Sequence, residues 1–95
     1  VIGEPTQGYL RVRRVQRGIE LIEVTEGPEW TERIEWHLLD MKSCEYCILG
    51  QLFGSYSTGL NRLSIEESEA SGYGFDVVAT EVPGELGLAW RTFHP

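Results

Sequence analysis

Apolar positions along this chain follow two rhythms. Between Tyr9 and Thr25 they alternate with polar ones, and beyond Pro28 they recur at spacings of three and four. The first rhythm predicts two strands, Tyr9 to Val15 and Ile19 to Thr25, joined through Gln16-Arg17-Gly18 with the glycine in the left-handed position of a bulged loop. Pairing across that loop sets Leu10 against Val24, Val12 against Ile22 and Arg14 against Glu20. On the other face Val15 meets Ile19, Arg13 meets Leu21 and Arg11 meets Glu23. A slip of one residue loses both ion pairs, so the pattern specifies its own register.

The second rhythm predicts short helices. Gly27-Pro28 opens one, with Glu29 and Glu32 near its positive end and Trp30 and Ile34 on its buried face. Ser43 is the expected N-cap of an apolar helix through Phe53, on which Gly50 marks a close approach and Gly54 the end. Ser55 to Leu63 predicts a third helix, with Tyr56, Leu60 and Leu63 on one face. Ser64 to Glu67 reads as a capping box starting a turn or two that stop at Gly72. Phe75, Val77 and Ala79 suggest a brief extended segment, and Pro83 starts a last helix bearing Leu86, Ala89, Trp90 and Phe93. The expected fold is α+β. A β-hairpin at 9–25 packs on four to five short helices within 28–95, all in one small domain spanning 1–95.

Composition narrows the function classes. Ninety-five residues leave room for one domain, and 41% hydrophobic residues suffice for a core. No apolar run approaches the roughly 20 residues of a membrane span, and two cysteines make no disulfide scaffold. The expected setting is therefore cytoplasmic, away from membranes. The net charge is -7. Arg11, Arg13, Arg14 and Arg17 are opposed before residue 19 only by Glu4, so a basic start precedes a strongly acidic remainder. Those arginines could grip phosphate, but a chain this negative repels a polyanion, which disfavours nucleic acid as a partner.

Cys44-Glu45-Tyr46-Cys47 is the recognisable reactive motif, because a thiol in the first turn of a helix is favoured as thiolate. A redox role for Cys44 and Cys47 competes with a plain one as small core residues on the apolar stripe. Zinc would need about four ligands, and His37, Cys44, Cys47 and His94 have no zinc-finger spacing. No hydrolase or phosphate-loop motif is present, so neither a catalytic residue nor a cofactor is expected. Surfaces remain. Glu20, Glu23, Glu26, Glu29, Glu32 and Glu35 recur every third residue, and Trp36 beside them has no periodic partner. Glu26, Glu29, Glu32, Glu35 and Trp36 are the leading candidates for a protein-binding site, with Arg13 and Arg17 at the hairpin tip second. The exposed edge of a lone hairpin would also invite a second copy of the chain.

Leu39-Asp40-Met41, the block Cys47 to Tyr56, Gly59-Leu60 and Gly74-Phe75-Asp76 together resemble small proteins of actinobacteria and their phages that have no assigned function. The resemblance covers residues 39 to 76, with an echo in Leu88-Ala89-Trp90. It implies a phage or mobile-element accessory protein, a class that often works by binding a host or phage protein, and it assigns no residue a role. The overall expectation is an acidic, non-catalytic interaction protein. A thiol protein and an arginine-hairpin binder of nucleic acid are the alternatives.

Overall fold

In the computed structural model, which describes residues 7–95, the segment expected to be a hairpin is one helix, α1 (Gln7–Glu26). Glu4, counted above among the N-terminal charges, lies outside the described residues. Val12, Val15, Ile19 and Ile22 stand three, four and three residues apart, which is a helical stripe as well as part of an alternation. Val15, Ile19 and Ile22 are buried, and Val12 is half-buried. Leu10 and Val24, which the hairpin register paired in the core, are instead 44% and 86% exposed. Gly18 is no turn residue. A Cβ there would collide with the Tyr73 carbonyl oxygen and stand 3.0 Å from the Trp90 ring, so this glycine lets two other elements close onto the middle of α1. Gly27, at φ 85°, ends the helix, its N–H donating to the Glu23 carbonyl at 3.0 Å, and Pro28 follows.

The remainder is helical, as expected, but in shorter pieces. Two 3-10 segments, Pro28–Arg33 and Trp36–Leu38, lead to α2 (Ile48–Phe53) and α3 (Tyr56–Leu63). A third 3-10 segment, Glu67–Tyr73, precedes α4 (Pro83–Phe93). No strand occurs among the described residues, so the α+β expectation is corrected to all-α. The extended segment anticipated around Phe75 is irregular backbone, and the edge for pairing with a second copy is absent with the hairpin. The N-cap of α2 is Cys47, not Ser43. The capping box near residue 66 joins Glu66 to Glu69, while Ser64 is the left-handed C-cap of α3. Gly54 closes α2 as predicted, at φ 95°, and Ser55, expected as the first residue of the third helix, is its N-cap, the hydroxyl accepting the Thr58 N–H.

One aromatic chain runs through the core. Tyr73 stacks on Phe75, Phe75 on Trp90 at 5.8 Å, and Trp90 meets Trp30 edge-on at 6.1 Å. Trp30 in turn meets the half-buried Trp36, whose ring lies 3.8 Å from that of His94. Buried indoles need partners. The Trp90 indole N–H donates to the Gly74 carbonyl at 2.7 Å, and that of Trp30 reaches Glu23 at 3.4 Å. No helix among the described residues is long and apolar enough to cross a membrane.

Candidate functional site

The structure ties most of its arginines to partners within the chain. Arg11 and Arg14, one helical turn apart on α1, both bind Glu81, whose side chain is fully buried before α4. The Arg11–Glu81 distance is 2.7 Å, and Arg11 also holds Glu85 at 2.9 Å. Burial works against the ionised form of Glu81, but hydrogen bonds from Arg14 and Arg11 outweigh it and hold the carboxyl below its ordinary value. These arginines were expected to pair with Glu20 and Glu23 across a hairpin; the helix turns them to another element altogether. Arg33 binds Glu26 at 2.9 Å and the Leu52 carbonyl at 2.6 Å, and Arg62 binds Glu26 at 3.1 Å. Arg91 donates to the Trp36 and Leu39 carbonyls, and Arg17 lies over the Tyr73 ring.

Among the candidate residues, Glu26 is therefore occupied: its carboxylate joins Arg33 to Arg62 and is mostly covered. Glu29, Glu32 and Glu35 are exposed. The first two sit on the 3-10 segment Pro28–Arg33, where three residues make a turn and side chains three apart eclipse. One edge of that segment thus carries Glu29 and Glu32, while the next carries the buried Trp30 and the tethered Arg33. Glu35 continues the spacing beyond it, 3.7 Å from His37, and its backbone N–H donates to Gln51 at 2.6 Å. Trp36 adjoins these acids but is half-buried, so only part of its ring faces outward. Arg13 and Arg17 lie four apart on the outward side of α1 rather than at a loop tip. A cleft of about 370 Å³ between the start of α1 and α4 is bordered by Leu88 and Phe93, both well exposed.

The cysteines are also rearranged relative to expectation. The Ser43 hydroxyl accepts the N–H groups of Glu45 and Tyr46, and the Ser43 carbonyl accepts that of Cys47 at 3.2 Å. This closes a turn over 43–47 ahead of α2, so exposed Cys44 does not stand in a helical first turn. Buried Cys47 accepts the Gly50 N–H on its sulfur at 3.3 Å. Burial pushes its thiol up. Both cysteines line a cleft of about 160 Å³ together with Lys42, Tyr56 and Asp76. His37 and His94 take no part in it: His94 stacks on Trp36. Among the described residues no three His, Cys, Asp or Glu side chains converge as metal ligands.

Sequence reasoning missed Glu81 and Tyr56. Glu81 carries no signal of its own in the sequence; the signal lay elsewhere, in two arginines three apart that become one helix face. Tyr56 looked like a core residue, but its buried hydroxyl has no hydrogen-bond partner among the described residues. Burial pushes that hydroxyl up to about 12, with negative charge on Asp76, Glu67 and Cys47 adding to the effect. No protein-family model matches this chain, and no curated protein or solved structure is significantly similar to it.

Proposed function

We propose that the protein is a non-catalytic, acidic interaction protein, of the type that phages and mobile elements carry as accessories, acting in the host cytoplasm on a host or phage protein with a basic face. The observation that supports this reading is the sorting of charge. Arg11, Arg14, Arg33 and Arg62 are held in ion pairs with just Glu26, Glu81 and Glu85, and Arg91 is turned onto backbone carbonyls. Glu29 and Glu32 are left exposed on one edge of the 3-10 segment, and exposed Glu35 and half-buried Trp36 follow it in the chain. An edge of one sign steers a partner of the opposite sign, and a neighbouring indole supplies contact area. The nucleic-acid alternative rested on an arginine hairpin, and Arg11 and Arg14 are committed instead to Glu81.

The test is affinity capture from an actinobacterial lysate with the wild-type protein and the E29K/E32K/E35K variant. The reading expects one stoichiometric partner on the wild type, and its recovery reduced about tenfold or more on the variant. Equal recovery of that partner by both proteins would remove the acidic edge from the binding site. An empty wild-type capture would count against the interaction class.

A further inference from the structure

We propose that Cys44 and Cys47 form a thiol–disulfide exchange site, in which exposed Cys44 takes up half of a low-molecular-weight disulfide and buried Cys47 releases it by closing a Cys44–Cys47 bond. This goes beyond the interaction reading and does not depend on it. The geometry begins with the 43–47 turn, closed by the Cys47 N–H on the Ser43 carbonyl. That turn sets both cysteines on the wall of one cleft, three residues apart. A disulfide between them needs their Cβ atoms about 3.5–4.5 Å apart, the separation the turn must reach for the bond to close.

The turn is held from both sides. The Cys44 carbonyl accepts the Tyr56 N–H at 2.9 Å, and a Cβ on Gly50 would collide with the Cys44 and Glu45 carbonyls. That contact explains a glycine inside α2: it seats the cysteine turn directly on the helix. Both thiols line one cleft, and the Tyr56 hydroxyl in its wall is a buried donor with no acceptor among the described residues. Asp76 lines the same cleft, and its carboxylate adds to the upward push on the Tyr56 hydroxyl.

The chemistry balances with the small disulfide RSSR as oxidant. Cys44 gives its proton to solvent, and its sulfur attacks one sulfur of RSSR. The S–S bond breaks, Cys44–S–SR forms, and RS⁻ leaves and takes a proton. Cys47 then loses its proton, attacks the Cys44 sulfur and displaces the second RS⁻, which is protonated in turn. Two protein thiols are oxidised to one disulfide, and RSSR is reduced to two RSH. Access sets the order, because Cys44 is exposed and Cys47 buried. Burial also raises the Cys47 thiol, so the second step accelerates as pH rises toward that thiol's pKa.

Reduced native protein mixed with oxidised glutathione, acid-quenched over time and read by intact mass and peptide mapping, tests this. The wild type is expected to gain one glutathionyl group at Cys44 and then lose it, ending two hydrogens lighter with no adduct. C47S is expected to keep the adduct on Cys44, and C44S to stay unmodified over the same interval; far-UV circular dichroism checks that both fold. Should either variant fail to fold, the wild-type time course decides alone. Thiols that stay reduced, an adduct that persists in the wild type as pH rises, or a first adduct on Cys47 would each overturn the proposal.

Discussion

Glu81 keeps a charge where water is excluded because two guanidiniums face it. Arg11 and Arg14 themselves retain some access to water, so the cluster is a clamp between α1 and the approach to α4 rather than an isolated buried pair. Removing only the acid leaves two cations facing a buried site; Glu81→Leu is expected to cost about 3 kcal/mol, read from urea unfolding. The pH dependence has a definite sign. Glu81 sits below the ordinary glutamate value in the folded state, so the unfolded chain binds the extra proton in that window. Its contribution is complete above the unfolded value, about pH 4.3, and is lost as pH falls through the lower folded value. Glu81→Gln should flatten that part of the acid-unfolding profile. Gly18 makes the complementary point about shape. Gly→Ala within a helix usually gains up to about 1 kcal/mol, but here the methyl meets the Tyr73 carbonyl and the Trp90 ring. Gly18→Ala should therefore destabilise by about 1–3 kcal/mol in the same assay.

At the scale of elements, α1 decides the fold, and backbone chemical shifts test it. Cα shifts over residues 9–25 should be helical without interruption through Gln16, Arg17 and Gly18. A reversal at those three residues, flanked by extended shifts, would restore the hairpin. The sequence supported both readings for an identifiable reason. Val12, Val15, Ile19 and Ile22 satisfy a helical stripe, while β-branched content, a central glycine and two matched Arg–Glu pairs satisfy a hairpin register. What selected the helix is not local. It is the contact of Tyr73 and Trp90 with Gly18, and the position of Glu81 opposite Arg11 and Arg14. Elements whose signals are local were legible: Gly54 as a stop, the helix after it, Pro83 as the start of α4, and the burial of Trp30, Leu60, Leu86 and Trp90. Phe93 was placed on the buried face of α4 and is exposed at its end. In the candidate site the acidic spacing of three was visible, but its meaning required a 3-10 segment, which turns that spacing into one edge instead of a drifting stripe. The same backbone change removed Glu26, bound by Arg33 and Arg62, from the list of free acids.

The whole molecule pairs most of its arginines internally and, among the described residues, leaves most of its acids unpaired by them. Its arginines are used chiefly as internal connectors, joining α1 to Glu81, Glu26 to α3, and α4 to the carbonyls of Trp36 and Leu39. With a net charge of -7 the surface is acidic overall, although Arg13, Arg17, Arg33, Arg62 and Arg91 stand on it. Such a surface favours a basic protein partner and repels polyanions. Its associations should weaken with salt, because exposed charges beyond about 10 Å are screened at 0.1 M. The most direct measurement is the affinity of the captured partner for the wild type and for E29K/E32K/E35K across a salt series. The account predicts wild-type affinity that falls steeply as salt rises and a variant that binds weakly at every salt. Equal affinities with no salt dependence would contradict it.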